Sequence, residues 1–112
     1  MSSISTHVLD VSSGMPAQGI KISLHLLKEN KWNEIASGAT NQDGRITDLF
    51  KRDNNPGKGI YKMKFETGDY FNEKSIKNFY PQVEIIFELD SDDHYHIPLL
   101  LSPFGYTTYR GS

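Results

Sequence analysis

The sequence predicts an all-β fold, a two-sheet antiparallel β-sandwich of about eight strands with one short helix. Three observations carry that reading. Apolar and polar residues alternate over several segments of strand length, clusters of Gly, Pro, Asn, Asp and Ser separate those segments at short intervals, and a single stretch carries helix punctuation.

The first strand is placed at residues 4–10, ahead of the turn Ser13-Gly14-Met15-Pro16. Ile20, Ile22, Leu24 and Leu26 then fall on one face of a second strand, with Lys21, Ser23 and His25 on the other. Glu29-Asn30-Lys31 turns the chain into a third strand at 32–39, and Asn41-Gln42-Asp43-Gly44 into a fourth at 46–50. After the loop Asn54-Asn55-Pro56-Gly57, a strand at 60–66 points Tyr61, Met63 and Phe65 inward. Residues 67–75 form the helix, with Thr67 or Asp69 as its N-cap and Lys74 near its end. Pro81 opens a strand at 81–89 that aligns Val83, Ile85, Phe87 and Leu89. Ser91-Asp92-Asp93 reads as a solvated hairpin turn into a strand at 94–100. The turn Ser102-Pro103-Phe104-Gly105 leads to a last strand at 106–110.

A chain of 112 residues has the length of one domain, spanning 1–112. Its 12 basic and 14 acidic residues give a net charge of −2 with no basic stretch, which argues against nucleic acid as a partner. The absence of cysteine excludes disulfides, thiol catalysis and Cys-ligated metals. The longest apolar run, Ile97-Pro98-Leu99-Leu100-Leu101, falls far short of a membrane span, and the N-terminus lacks a signal-like apolar core. The expectation is a soluble cytoplasmic protein with no membrane partner.

Imidazole is the side chain whose unperturbed pKa lies nearest neutrality, so the four histidines are the first candidates for chemistry. His25 lies on the polar face of its strand and reads as structural. His94 and His96, two apart, share a face, and with His7 they would suit a three-histidine zinc site; H-x-H alone is a weak signal for one. Asp90, Asp92 and Asp93 lack the ligand spacing of a calcium loop. Asn54 to Gly59 lacks the pattern of a phosphate cradle, and no G-x-S-x-G elbow is present. Taken singly, Arg45 is an exposed arginine after a tight turn, and the tail ending at Ser112 is one that frays.

Four blocks change those readings. They are Ser5-Thr6-His7-Val8-Leu9-Asp10 with Gly14-Met15-Pro16-Ala17; Thr40-Asn41-Gln42-Asp43-Gly44-Arg45; Phe79-Tyr80-Pro81-Gln82-Val83 through the segment from His94 to Pro103; and the ending Gly105-Tyr106-Thr107-Thr108-Tyr109-Arg110-Gly111-Ser112. Together they resemble the transthyretin-like family, and Tyr109-Arg110-Gly111-Ser112 with the His/Arg/His set resembles its enzyme branch rather than its hormone carriers. The resemblance implies a homotetramer, a dimer of dimers, with each site in a cleft between dimers. It implies cofactor-free hydrolysis of 5-hydroxyisourate, a cyclic amide of urate breakdown, with His7, Arg45, His96 and Ser112 catalytic and His7, Arg45 and Tyr109 binding substrate. A non-catalytic small-ligand carrier on the same sandwich is the alternative, and a plain interaction sandwich is a third.

Overall fold

The computed structural model describes residues 3–50, 57–91 and 93–111, with backbone only at 47 and 48. The chain runs β1 (Ser3–Asp10), β2 (Met15–Pro16), β3 (Lys21–Lys28), β4 (Lys31–Ala39), β5 (Arg45–Phe50), β6 (Gly59–Phe65), α1 (Thr67–Glu73), β7 (Val83–Leu89), β8 (His94–Ser102) and β9 (Gly105–Thr108). One sheet orders β2-β1-β8-β9 with β5 also on β1, and the other orders β4-β3-β6-β7. The alternating positions read from the sequence meet between the sheets: Ile22, Leu24, Tyr61, Met63, Phe65, Val83 and Leu89 are buried against Ile4, Val8, Leu99 and Leu101. Each such side chain contributes about 1.5–3 kcal/mol by leaving water.

Several local expectations are corrected. Met15 and Pro16, expected within a turn, pair with Asp10 and Leu9 as a two-residue strand, because the Gly14 turn folds the chain back along β1. Ser91 and Asp93 do not close a hairpin: β7 and β8 belong to different sheets, and Asp90 instead accepts the Tyr95 hydroxyl at 2.8 Å. The pairing of β1 with β8 is parallel, while every other strand pair is antiparallel. These two strands are remote in sequence, so no tight turn dictates their direction. The helix is capped by Glu66 without a side-chain hydrogen bond, since Thr67 is fully buried and its hydroxyl donates to the Tyr80 carbonyl. The helix ends at Glu73, and Lys74 at its C-cap lies over the Tyr70 ring. Residues 51–56, Asp92 and Ser112 lie outside the described set, and with them part of the predicted loop and of the acidic cluster.

β1 carries the candidate site, and two turns fix it. Tyr70 of α1 donates to Asp10 Oδ2 at 2.9 Å, while Asp10 Oδ1 accepts the amides of Ser12 and Ser13, so the end of β1 is tied to the helix. The Asn41 to Gly44 turn closes through Asn41 Oδ1, which accepts the amides of Asp43 and Arg45. Gly44 then presses against β1: its carbonyl accepts the Val8 amide at 2.8 Å, its φ is +72°, and a Cβ there would lie 2.4 Å from the Val8 carbonyl oxygen. Both the left-handed backbone and the contact require glycine. Gly44→Ala is therefore expected to destabilise the fold by about 2 kcal/mol or more, read as a lowered denaturant midpoint with an unchanged slope. A midpoint equal to wild type would show that the turn yields freely.

Candidate active site

The odd positions of β1 point away from the core, because the even ones, Ile4, Thr6, Val8 and Asp10, are buried. The parallel register sets Ser3 beside His94, Ser5 beside His96 and His7 beside Pro98. On the other edge of β1, His7 is paired with Arg45. Side chains of paired residues share a face, so three strands deliver Ser5, His7, Arg45, His94 and His96 to one outward patch. These residues and Tyr109 line a cleft of about 400 Å³. That is within the range of small-ligand sites.

The His7 and His96 rings lie 6.4 Å apart between centroids and 20° from parallel. Burial lowers the pKa of His7 below its ordinary 6.5, and Arg45 lowers it further. Burial is also the largest influence on His96, again downward, followed by the charges of Arg45, His7 and His94. Both imidazoles are thereby held neutral at neutral pH and able to accept a proton. Arg45 itself is exposed, with its planar fork free to meet a ligand edge.

The tail does not fray where it is described. Thr108 pairs with Leu99 in β9, and Gly111 bridges back to His96 in the same antiparallel register, its amide donating to the His96 carbonyl at 2.8 Å. That register sets Pro98 opposite Tyr109, and a proline has no N–H to offer the ladder. The strand expected at 106–110 accordingly stops at Thr108. Tyr109 is released to the cleft with 57% of its surface exposed, while Arg110 lies over the Tyr95 ring at 4.6 Å. Gly111 packs so closely that a Cβ there would meet His96 Cδ2 at 2.7 Å. The tail is thus a strap that seats the His96 ring.

Of the residues singled out in the sequence, His7, Arg45, His96 and Tyr109 come together, and Ser112 is outside the described residues. His25 is remote on β3, bonded to Ser23, as a structural histidine. Among the described residues no three His, Asp or Glu side chains are grouped to hold a metal ion, and His94 turns onto the hydroxyls of Ser3 and Ser5. Sequence reasoning missed Ser5 and Gly111. Alternation from His7 already put Ser5 on the same face, but its partner depends on a parallel register that no local pattern records.

A family model described as HIUase/Transthyretin family matches residues 4–111. The chain belongs to that family. Within the HIUase/Transthyretin family, the mouse 5-hydroxyisourate hydrolase is 43% identical over 117 residues, which cover 99% of this chain and 96% of the mouse protein. The solved 5-hydroxyisourate hydrolase of Klebsiella pneumoniae is 37% identical with a TM-score of 0.86, covering all of this chain and 94% of that one. Sea bream transthyretin, solved in complex with thyroxine, has a TM-score of 0.92 at 28% identity, covering 97% of this chain and 94% of its own. Proteins named as hydrolases and a thyroxine-bound transthyretin therefore share this fold, and the site must discriminate between them.

The lowered pKa values have two consequences. The unfolded chain takes up protons on His7 and His96 first, so stability from the neutral imidazoles is full above about pH 6.5 and is lost as pH falls through 6.5 toward the folded values. NMR titration is expected to place both midpoints below 6.5, and Arg45→Gln should move both upward by removing the neighbouring cation. Midpoints that ignore the substitution would contradict the electrostatic coupling.

Proposed function

We propose that this single domain, residues 1–112, hydrolyses 5-hydroxyisourate, opening the ring to 2-oxo-4-hydroxy-4-carboxy-5-ureidoimidazoline. The observation that carries the reading is the pair of imidazoles, His7 and His96, held near parallel beside Arg45 in a cleft of ligand size, where burial and the guanidinium favour their neutral form. The names of the full-length relatives at 43% and 37% identity support it. His7 and His96 share the acid and base roles: one takes a proton from the attacking water, and the other holds or returns a proton to the departing nitrogen. The two titrate as a coupled pair. Arg45 donates its guanidinium N–H groups to a carbonyl oxygen of the substrate and stabilises the oxyanion as charge develops. Tyr109 binds the substrate, and Ser112 orients a histidine or the water through its hydroxyl. The substrate is electrophilic enough that a base and water suffice, without metal or cofactor.

The working form in this reading is a homotetramer, a dimer of dimers, with the cleft closed by a second subunit. Support comes from the exposure of Arg45 and Tyr109 within one chain and from the large apolar side chains Met15, Phe79 and Phe104, each more than half exposed. A cytoplasmic setting agrees with the lack of cysteine, and among the described residues no helix is long and apolar enough to cross a membrane.

Catalytic amounts of the protein should speed the loss of freshly generated 5-hydroxyisourate absorbance, and His96→Ala should cut kcat/KM by about 10² to 10⁴. No acceleration over the spontaneous reaction would favour a carrier, although burying two histidines and an arginine in an apolar channel is costly. Sedimentation should give about four times the 12.7 kDa chain mass. A stable monomer with full activity would remove the shared cleft.

A further inference from the structure

Ser3, Ser5 and His94 have no part in the chemistry above, yet they form an unbroken hydrogen-bonded chain to His96. Ser3 Oγ lies 2.6 Å from His94 Nδ1, His94 Nε2 lies 3.0 Å from Ser5 Oγ, and Ser5 Oγ lies 2.8 Å from His96 Nδ1. Ser5 is 7% exposed, whereas His94 is exposed, so the chain leads from the cleft-lining imidazole to solvent. Nε2 is left as the His96 nitrogen turned away from the Ser5 hydroxyl.

A neutral imidazole has one donor and one acceptor nitrogen, and a hydroxyl has one proton. With the Ser5 proton in one of its two bonds, the chain has two directions. Pointing toward Ser3, His96 Nδ1–H donates to Ser5, Ser5 donates to His94 Nε2, and His94 Nδ1–H donates to Ser3; His96 Nε2 is then a bare base. Pointing toward His96, every bond reverses and the proton sits on Nε2, as an acid requires. His7 and Arg45 are the titratable and charged groups facing His96 from β1 and β5, and the three bonds of this chain run only among Ser3, His94, Ser5 and His96.

We propose that Ser5 and His94 are positioning residues for the hydrolysis, setting the tautomer of His96 and relaying its Nδ1 proton to solvent. This rests on the proposed hydrolysis. Opening a cyclic amide places one proton of water on the ureido nitrogen, which is not basic, and the other on a carboxyl that ionises at neutral pH, so one proton per turnover must leave. His96 Nε2 takes a proton from the attacking water. Its Nδ1 proton passes to Ser5 Oγ as the Ser5 hydroxyl proton passes to His94 Nε2, and His94 releases its Nδ1 proton through Ser3 to water. Each group returns to a neutral form with the chain reversed; before the next turnover His96 Nε2 gives its proton to water in the open cleft while Ser3 takes one up from solvent, and the reverse transfers restore the bare Nε2.

The test combines two readouts on Ser5→Ala and on His94→Ala, the latter exposed enough to leave the fold intact. The first is the ¹⁵N NMR signature of the His96 ring without substrate, which is independent of turnover and so separates this inference from the hydrolysis itself. Ser5→Ala should change the tautomer balance of His96. The second is kinetic: orienting partners of functional histidines elsewhere are worth about 10- to 100-fold, and a loss of that size is expected in kcat with KM within about twofold. In His94→Ala, imidazole added to the buffer should restore kcat, which a structural defect would not permit. An unchanged His96 tautomer in Ser5→Ala, wild-type kcat in His94→Ala, or a loss that imidazole leaves untouched would each overturn the proposal. A wild-type protein inactive on 5-hydroxyisourate, with the tautomer change present, would instead overturn the hydrolysis.

Discussion

The parallel ladder between β1 and β8 is the constraint on which the rest of the molecule depends. It runs without interruption from Ser3 beside His94 to Asp10 beside Leu101. Because side chains alternate strictly across a strand, this one register decides both faces at once. Inward it brings Ile4, Val8, Leu99 and Leu101 to the core, and outward it brings Ser5 and His7 alongside His96. A slip of one residue would bury the histidines and expose the core, so folding energy and site geometry are enforced by the same pairing.

Around that ladder the site is built from backbone rather than from long, flexible side chains. Gly44 brings Arg45 against His7, Pro98 interrupts the ladder so that Tyr109 can leave it, and Gly111 seats the tail on the His96 ring. Each device uses a residue that is special for its missing Cβ or its missing N–H. The electrostatics follow from this placement: partial burial and a nearby guanidinium favour neutral imidazoles, the form that accepts a proton. The same arrangement suits a polar, hydrogen-bonding substrate better than an apolar ligand.

Much of the fold was legible because its signals are local. The alternation from Ile20 to Leu26 and from Val83 to Leu89 located β3 and β7 within two residues, and Glu29-Asn30, both with positive φ, forms the tight β3 to β4 turn its composition suggests. The misreadings occurred where a distant partner decides. Asp90 to Asp93 looks like a hairpin until its flanking strands join different sheets, and Thr67 looks like a cap until burial commits its hydroxyl to Tyr80. Of the candidate site, His7, Arg45, His96 and Tyr109, which line one cleft, are marked in the sequence only by a family resemblance carried by motifs far apart in the chain. The hydrogen bonds of Ser5 are not, since they depend on a pairing across most of the chain's length, and neither is the close packing of Gly111, which depends on the β9 register carried past the break at Pro98.

The central claim is that the outward face of the β1 and β8 ladder is where a cyclic purine-derived substrate binds. It is tested most directly by mapping backbone and side-chain NMR shifts during titration with urate, a related ring system that this hydrolysis would leave intact. Shifts are expected to concentrate at His7, Arg45, His96 and Tyr109. Shifts centred on Ile85, Phe87 and Ile97, in the adjoining apolar crevice that shares His96 and Tyr109 with this face, with His7 and Arg45 undisturbed, would contradict it.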